Sequence, residues 1–200
     1  MKLTRRAVLV AAVAAAAPAW AEAGAVKPIE GFVQALLAGM RAGKATPFAQ
    51  RAAALQPVLV AAFDLEAILK ASIGVRWGTM AAEMQANLLQ AFTNFSVATW
   101  VANFDSYDGE RFEVLPETRT VGADEVVQTR IVPKQGDATR LDYVMRRTGA
   151  TWKAVDILLD GSISRVAVQR SDFRGLLAKG EAALLEMLRS KAADLATGAK

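Results

Sequence analysis

The chain contains no cysteine and no histidine in its 200 residues. Those two absences exclude a good deal of chemistry. A Ser-His-Asp triad, a cysteine nucleophile and a metal centre held by His or Cys each lack a necessary member. A disulfide framework is excluded as well, so cysteine usage is silent about compartment. Carboxylate chemistry stays open. No basic run with interleaved aromatics occurs, which removes the usual footprint of nucleic-acid binding. No internal repeat, low-complexity linker or second domain is visible.

What is present is apolar. Hydrophobic residues make up 53% of the chain, enough for a full core, and the length suits one domain. The first residues, "MKLTRRAVLVAAVAAAAPAWAEAG", join a basic start, an apolar run from Ala7 to Ala17 and small residues around Ala19 and Ala21. This is the layout of a secretory signal peptide, and the apolar run is too short to span a bilayer. Residues 1–21 are expected to be removed, with cleavage after Ala21 and Ala23 as the next choice. Thr4-Arg5-Arg6-Ala7-Val8-Leu9 also resembles a twin-arginine export signal. The formal charge of +4 includes Lys2, Arg5 and Arg6. Without them 21 basic and 20 acidic residues remain, a net +1, so the basic balance belongs largely to the leader.

The remaining chain reads as helices, then strands, then helices. Pro28 marks a helix start. Ile29, Phe32, Val33, Leu36, Leu37 and Met40 then recur on one helical face up to Gly43. Thr46-Pro47 predicts a second start, and Asp64 the cap of a short helix ending near Gly74. Residues 79–104 predict one long helix that is apolar around most of its circumference, with a narrow polar stripe of Glu83, Asn87, Gln90 and Asn94. Such a helix is buried on two sides, here between the sheet and the leading helices. Strands are expected at Arg111–Leu115, Val126–Val132, around Leu141-Tyr143-Met145, and at Trp152–Leu158. The third alternates its apolar residues with Arg140, Asp142 and Arg146, one face buried and one wet. Helices resume near Ile163 and at Glu181–Leu195. The expected class is α+β, a small four-stranded antiparallel sheet packed on one side by helices.

Three acidic groups invite a chemical reading. Asp64 and Glu66 are an acid pair or a helix cap with its first-turn acid. Asp105, Asp108 and Glu110 surround Gly109 without the spacing of a calcium loop. Asp156 stands among apolar strand residues, either as an acid in a cavity or as the partner of Arg165 or Arg170. Phe92, Phe95, Trp100, Phe104, Tyr143 and Met145 read first as core, which composition alone favours; a cavity for acyl or isoprenoid chains uses the same residue types, and periodicity does not separate a filled interior from a hollow one.

Taken in order, "FDLEAILKASIGVRWGTM", "QANLLQAFTNFSVATWVANFDSYDGERFEVL" and "WKAVDILLDGSISRVAVQRSDF" resemble the MlaC (toluene-tolerance) family of ABC-transporter auxiliaries over residues 27–195. Trp152, Lys153, Val155, Asp156, Gly161, Ser164, Arg170 and Phe173 fall on the family's terminal motif. Three positions depart from it: Trp100 and Gln169 stand where the family has Tyr, and Arg165 where it has Leu. The stretch from Tyr143 to Phe173 looks most like the hopanoid-associated HpnM branch.

The resemblance implies a soluble, monomeric periplasmic lipid carrier, with an apolar cavity between sheet and helices and no cofactor, metal or catalytic residue. Its cargo would be phospholipid or a hopanoid-type isoprenoid lipid. Its partners would be an inner-membrane lipid transporter and an outer-membrane lipoprotein or porin complex. Residues 22–200 would form the single lipid-binding domain. The lining residues expected are Phe95, Trp100, Phe104, Leu141, Tyr143, Met145, Val155 and Ile157, the last five chosen by strand parity. Trp152, Asp156, Gly161, Arg170 and Phe173 would be scaffold, with Asp156 pinning the following helix through an ion pair. Two other classes compete: an adaptor that binds a transporter and carries nothing, and an enzyme that uses Asp156.

Overall fold

A computed structural model describes residues 24–198. The expected export signal at 1–21 lies outside the described residues. Helix α1 spans Val26–Ala42, with Pro28 in its first turn, where no intrahelical N–H is needed. Gly43 ends it at φ 62°. Helix α2 spans Phe48–Ala62 and starts one residue later than expected. Pro47 is its flanking residue, while the Thr46 hydroxyl turns back to donate to the Ala42 carbonyl. Helix α3, Leu65–Ile73, is capped by Asp64, which accepts from the Ala67 N–H at 2.9 Å. A 3₁₀ turn over Gly74–Thr79 leads to helix α4, Ala82–Asn103.

The sheet is a five-stranded antiparallel meander in the order β1-β2-β3-β4-β5, one strand more than expected. The strands are β1 (Arg111–Val121), β2 (Asp124–Val132), β3 (Thr139–Thr148), β4 (Thr151–Leu159) and β5 (Ile163–Ser164). The fifth strand forms because the chain reverses through Asp160 (φ 51°) and Gly161 (φ 73°), which brings Ile163 back to pair with Leu159. An added Cβ on Gly161 would stand 2.8 Å from the Arg140 guanidinium carbon. Glycine thus answers two demands there. Helix α5 (Arg165–Leu177) follows, with Ser164 as cap, and α6 (Glu181–Thr197) closes the chain.

Two irregularities bend the sheet. Between β1 and β2 the register shifts from Val114↔Thr129 to Thr118↔Val127, and Pro116 lies in that bulge on the edge strand. Between β3 and β4 the pairs run from Val144↔Asp156 to Met145↔Ala154, leaving Val155 as the extra residue. The outward face is less wet than its pattern predicts. Asp142 is 0% exposed because Arg140 lies over it and donates to both carboxylate oxygens, at 2.8 and 2.6 Å. Those bonds raise the Arg140 pKa further.

The core gathers around Phe32, which is fully buried. Its ring meets those of Trp100 at 4.9 Å, Phe63 at 5.0 Å and Tyr143 at 6.5 Å, all edge-on. Helix α4 packs chiefly on α6, then on α2. This corrects the expectation that the leading helices and the sheet would flank it. The C-terminal helix takes one side, and α4 reaches the sheet through rings such as Phe104 on Phe112, 6.0 Å apart. The period-3.6 pattern shows that α4 has two buried sides but not which elements cover them.

Burial pushes the Tyr143 phenol pKa well above its ordinary value, with a smaller opposing effect from a hydrogen bond with Thr129. An unfolded tyrosine ionises near pH ~10, and the native one stays protonated above that. This contribution to stability is therefore whole below about pH 10 and falls by ~1.4 kcal/mol per pH unit above it. Tyr143→Phe is expected to flatten the loss of Tm between about pH 10 and pH 11. An identical alkaline loss in the variant would show that Tyr143 ionises as freely as in the unfolded chain.

Candidate functional site

The inner ends of α2, α3, α4 and α5 do not close fully on the sheet. A half-open cavity of about 470 Å³ remains between them, within the range of small-molecule sites. One wall is α4, contributing Phe92, Phe95, Ser96, Thr99, Trp100, Asn103 and, at its end, Phe104. The facing wall is the sheet, through Ile131, Thr139, Leu141, Ile157 and Leu159. Leu59, Phe63, Leu65 and Ile68 close it at the α2–α3 corner, where the Asp64 N–H donates to the Ala154 carbonyl at 2.9 Å. Asp156, Arg165, Val166 and Gln169 complete the lining at the β4–α5 junction.

The α4 hydroxyls add little polarity to the wall, which leaves the Asn103 amide as its polar group. Ser96 donates to the Phe92 carbonyl at 2.7 Å, and Thr99 to the Phe95 carbonyl at 2.8 Å. Hydroxyls spent on their own helix ask nothing of a ligand. Trp100 and Phe104 stack at 5.4 Å and form a flat aromatic panel. Phe104 also borders a second cleft between α1 and α2, of about 440 Å³.

Of the expected lining residues, the structure brings together Phe95, Trp100, Phe104, Leu141 and Ile157. Tyr143, Met145 and Val155 do not line the cavity. Tyr143 and Met145 do share the inward face with Leu141, but they lie further along β3, in the packed core at 2% and 0% exposure. Val155 fails for a different reason. The bulge adds one residue, so alternation counted from Ile157 breaks there, and Ala154 takes the inward position opposite Met145. Leu159 is legible by the same parity that selects Ile157. Ile131 is legible by parity as well, in step with Val127 and Thr129 on β2, whereas Phe63 and Ile68 are brought to the cavity by tertiary packing.

The scaffold residues hold the β4–α5 junction, though not by the expected ion pair. Asp156 is paired with neither Arg165 nor Arg170. Its Oδ1 accepts from the N–H of Ile157 at 2.8 Å and of Val166 at 3.1 Å, and its Oδ2 from the Ser164 hydroxyl. Ser164 in turn accepts from the Ala167 N–H at 3.0 Å. The two side chains form a relay that caps α5 and favours negative charge at a helix start. Arg170 instead lies against the backbone of Gly74, whose added Cβ would be 3.4 Å from its Nη2. Phe173 is buried, and Trp152 is half-buried against the core.

The other acidic groups are also engaged. Glu66 pairs with Lys70 at 2.8 Å, Asp105 with Lys44 at 3.1 Å, and Glu110 accepts from the Asp108 N–H at 2.7 Å. Among the described residues no three acids gather as a metal site, and no helix is long and apolar enough to cross a membrane.

A search of curated proteins found no match. Among solved structures, the chain is similar to the phospholipid-binding protein from Ralstonia solanacearum, determined in complex with a phospholipid. The TM-score is 0.75 at 19% identity, over 87% of this chain and 99% of that one. This likeness shows a common fold: an antiparallel sheet packed against helices. The family model described as "MlaC protein" matches residues 30–190. The match takes in the whole cavity wall and the capped β4–α5 junction, and the chain belongs to the MlaC family.

Proposed function

We propose that the protein is a periplasmic carrier that holds the acyl tails of a membrane lipid in the α4–sheet cavity and moves the lipid between inner and outer membranes. The observation that carries this reading is the cavity itself: half-open, largely aromatic on the α4 wall and aliphatic on the sheet wall, with the α4 hydroxyls already satisfied. A tail exposed to water costs about 0.8 kcal/mol per methylene, so a carrier needs a hollow of this kind. It needs no general base or nucleophile beside it. Asp156, the acid in the lining, is occupied as a helix cap.

Family membership supports lipid binding and a periplasmic location, and the layout of residues 1–21 supports export. The phospholipid bound by the Ralstonia protein favours phospholipid as cargo. A hopanoid cargo rests on the likeness of residues 143–173 to the HpnM branch alone. The partners of such a carrier are an inner-membrane transporter and an outer-membrane lipoprotein or porin complex.

Transfer between vesicles tests the proposal. Delipidated protein is mixed with donor vesicles carrying a fluorescent, self-quenched phospholipid and with unlabelled acceptors. Dequenching that rises in proportion to protein concentration is expected. A rate equal to the protein-free control would discard the carrier reading in favour of an adaptor.

A further inference from the structure

We infer that Arg165 reads headgroup charge at the cavity mouth and selects lipids whose phosphate headgroup is net anionic. The inference rests on the carrier reading and adds the class of cargo. Arg165 supplies the one cationic side chain of the cavity lining among the described residues, and Asp156 the one acidic side chain. The two do not form an ion pair. The Asp156 oxygens are taken by Ser164, Val166 and Ile157, and no carboxylate lies within ion-pair distance of Arg165 among the described residues.

Neighbouring cations are committed elsewhere. Arg140, near the Gly161 turn, is held in two bonds by Asp142, and Arg170 lies against Gly74 outside the cavity lining. Arg165 is exposed at the first position of α5. From there its guanidinium can meet water and a headgroup while the tails lie on Leu141, Ile157 and Trp100. Leucine at this position would extend the apolar wall; arginine gives up that surface for a charge. A guanidinium fits phosphate in a forked, two-bond geometry. Phosphatidylglycerol leaves that attraction whole, whereas the ammonium of phosphatidylethanolamine offsets it, and a neutral isoprenoid alcohol offers no charge. Exposure and salt keep the effect modest.

The test compares uptake by delipidated protein from vesicles of phosphatidylglycerol, phosphatidylethanolamine or diacylglycerol in neutral carrier lipid, all with the same acyl chains. At low ionic strength the wild-type protein is expected to favour phosphatidylglycerol over phosphatidylethanolamine by about two- to fivefold. Arg165→Leu should bring that ratio near one, and Arg165→Lys should keep most of the preference. Equal ratios in wild type and Arg165→Leu, with loading retained, would overturn the inference and leave the carrier reading standing. Wild-type protein that loads none of the three lipids would overturn both.

Discussion

Thr99→Phe is expected to weaken the protein's hold on lipid while leaving it folded. Thr99 lies on the cavity wall of α4, half-buried, with its hydroxyl bonded to the Phe95 carbonyl one turn back. That bond serves the side chain and not the fold, since α4 keeps its backbone ladder without it. Threonine and phenylalanine have similar helix propensities, and the new ring has open space to enter. A ring placed there takes volume from the tails. Displacing only two methylenes back toward water costs about 1.6 kcal/mol, more than a tenfold loss of affinity. Affinity for lipid, measured by uptake from vesicles, should fall at least about tenfold, with Tm nearly unchanged. Wild-type affinity in a folded Thr99→Phe protein would move the binding site away from this cavity.

Phe32→Ala is expected to do the reverse, costing stability while removing no residue of the cavity wall. Phe32 is 0% exposed and sits in edge-on contact with three rings, yet it is absent from the cavity lining. Removing a buried phenylalanine costs about 3–5 kcal/mol, part of it from the void left behind. For a chain of this length that is a fall in Tm of roughly 6–20 °C. The protein that remains folded should still load lipid, because Trp100 loses one ring contact but keeps its stack on Phe104, and Leu141 and Ile157 keep their strand pairing. Denaturant unfolding gives the stability change, and a cost below about 1 kcal/mol would mean that the ring cluster is not the centre of the core.

The two substitutions separate what the sequence makes legible from what it hides. Phe32 is readable as core because α1 repeats its apolar residues at helical spacing over Ile29, Phe32, Val33 and Leu36, and all four are buried. The Asp64 cap and the inward parity of Leu141, Tyr143 and Met145 are readable for the same reason: each depends on neighbours a few residues away. Whether an inward residue meets a packed interior or a hollow is not local. Tyr143 and Leu141 lie two residues apart on the same strand face, yet one is walled in by Phe32 and Phe63 while the other faces empty space.

Non-local register also accounts for the other differences. Val155 misleads because the bulge is set by pairing with β3, which an alternating pattern does not record. Asp156 misleads because its partners depend on where α5 begins. A start at Arg165, with Ser164 as cap, brings the Val166 N–H to the carboxylate and leaves no role for an arginine. The fifth strand is too short to carry a pattern at all and exists only as the return arm of the Gly161 turn.

Native mass spectrometry of residues 22–200, purified without detergent and followed by organic extraction, tests the central claim most directly. A protein–lipid complex near one-to-one, releasing a phospholipid on extraction, is the predicted result. A clean apo mass that persists after incubation with phosphatidylglycerol vesicles would contradict the account.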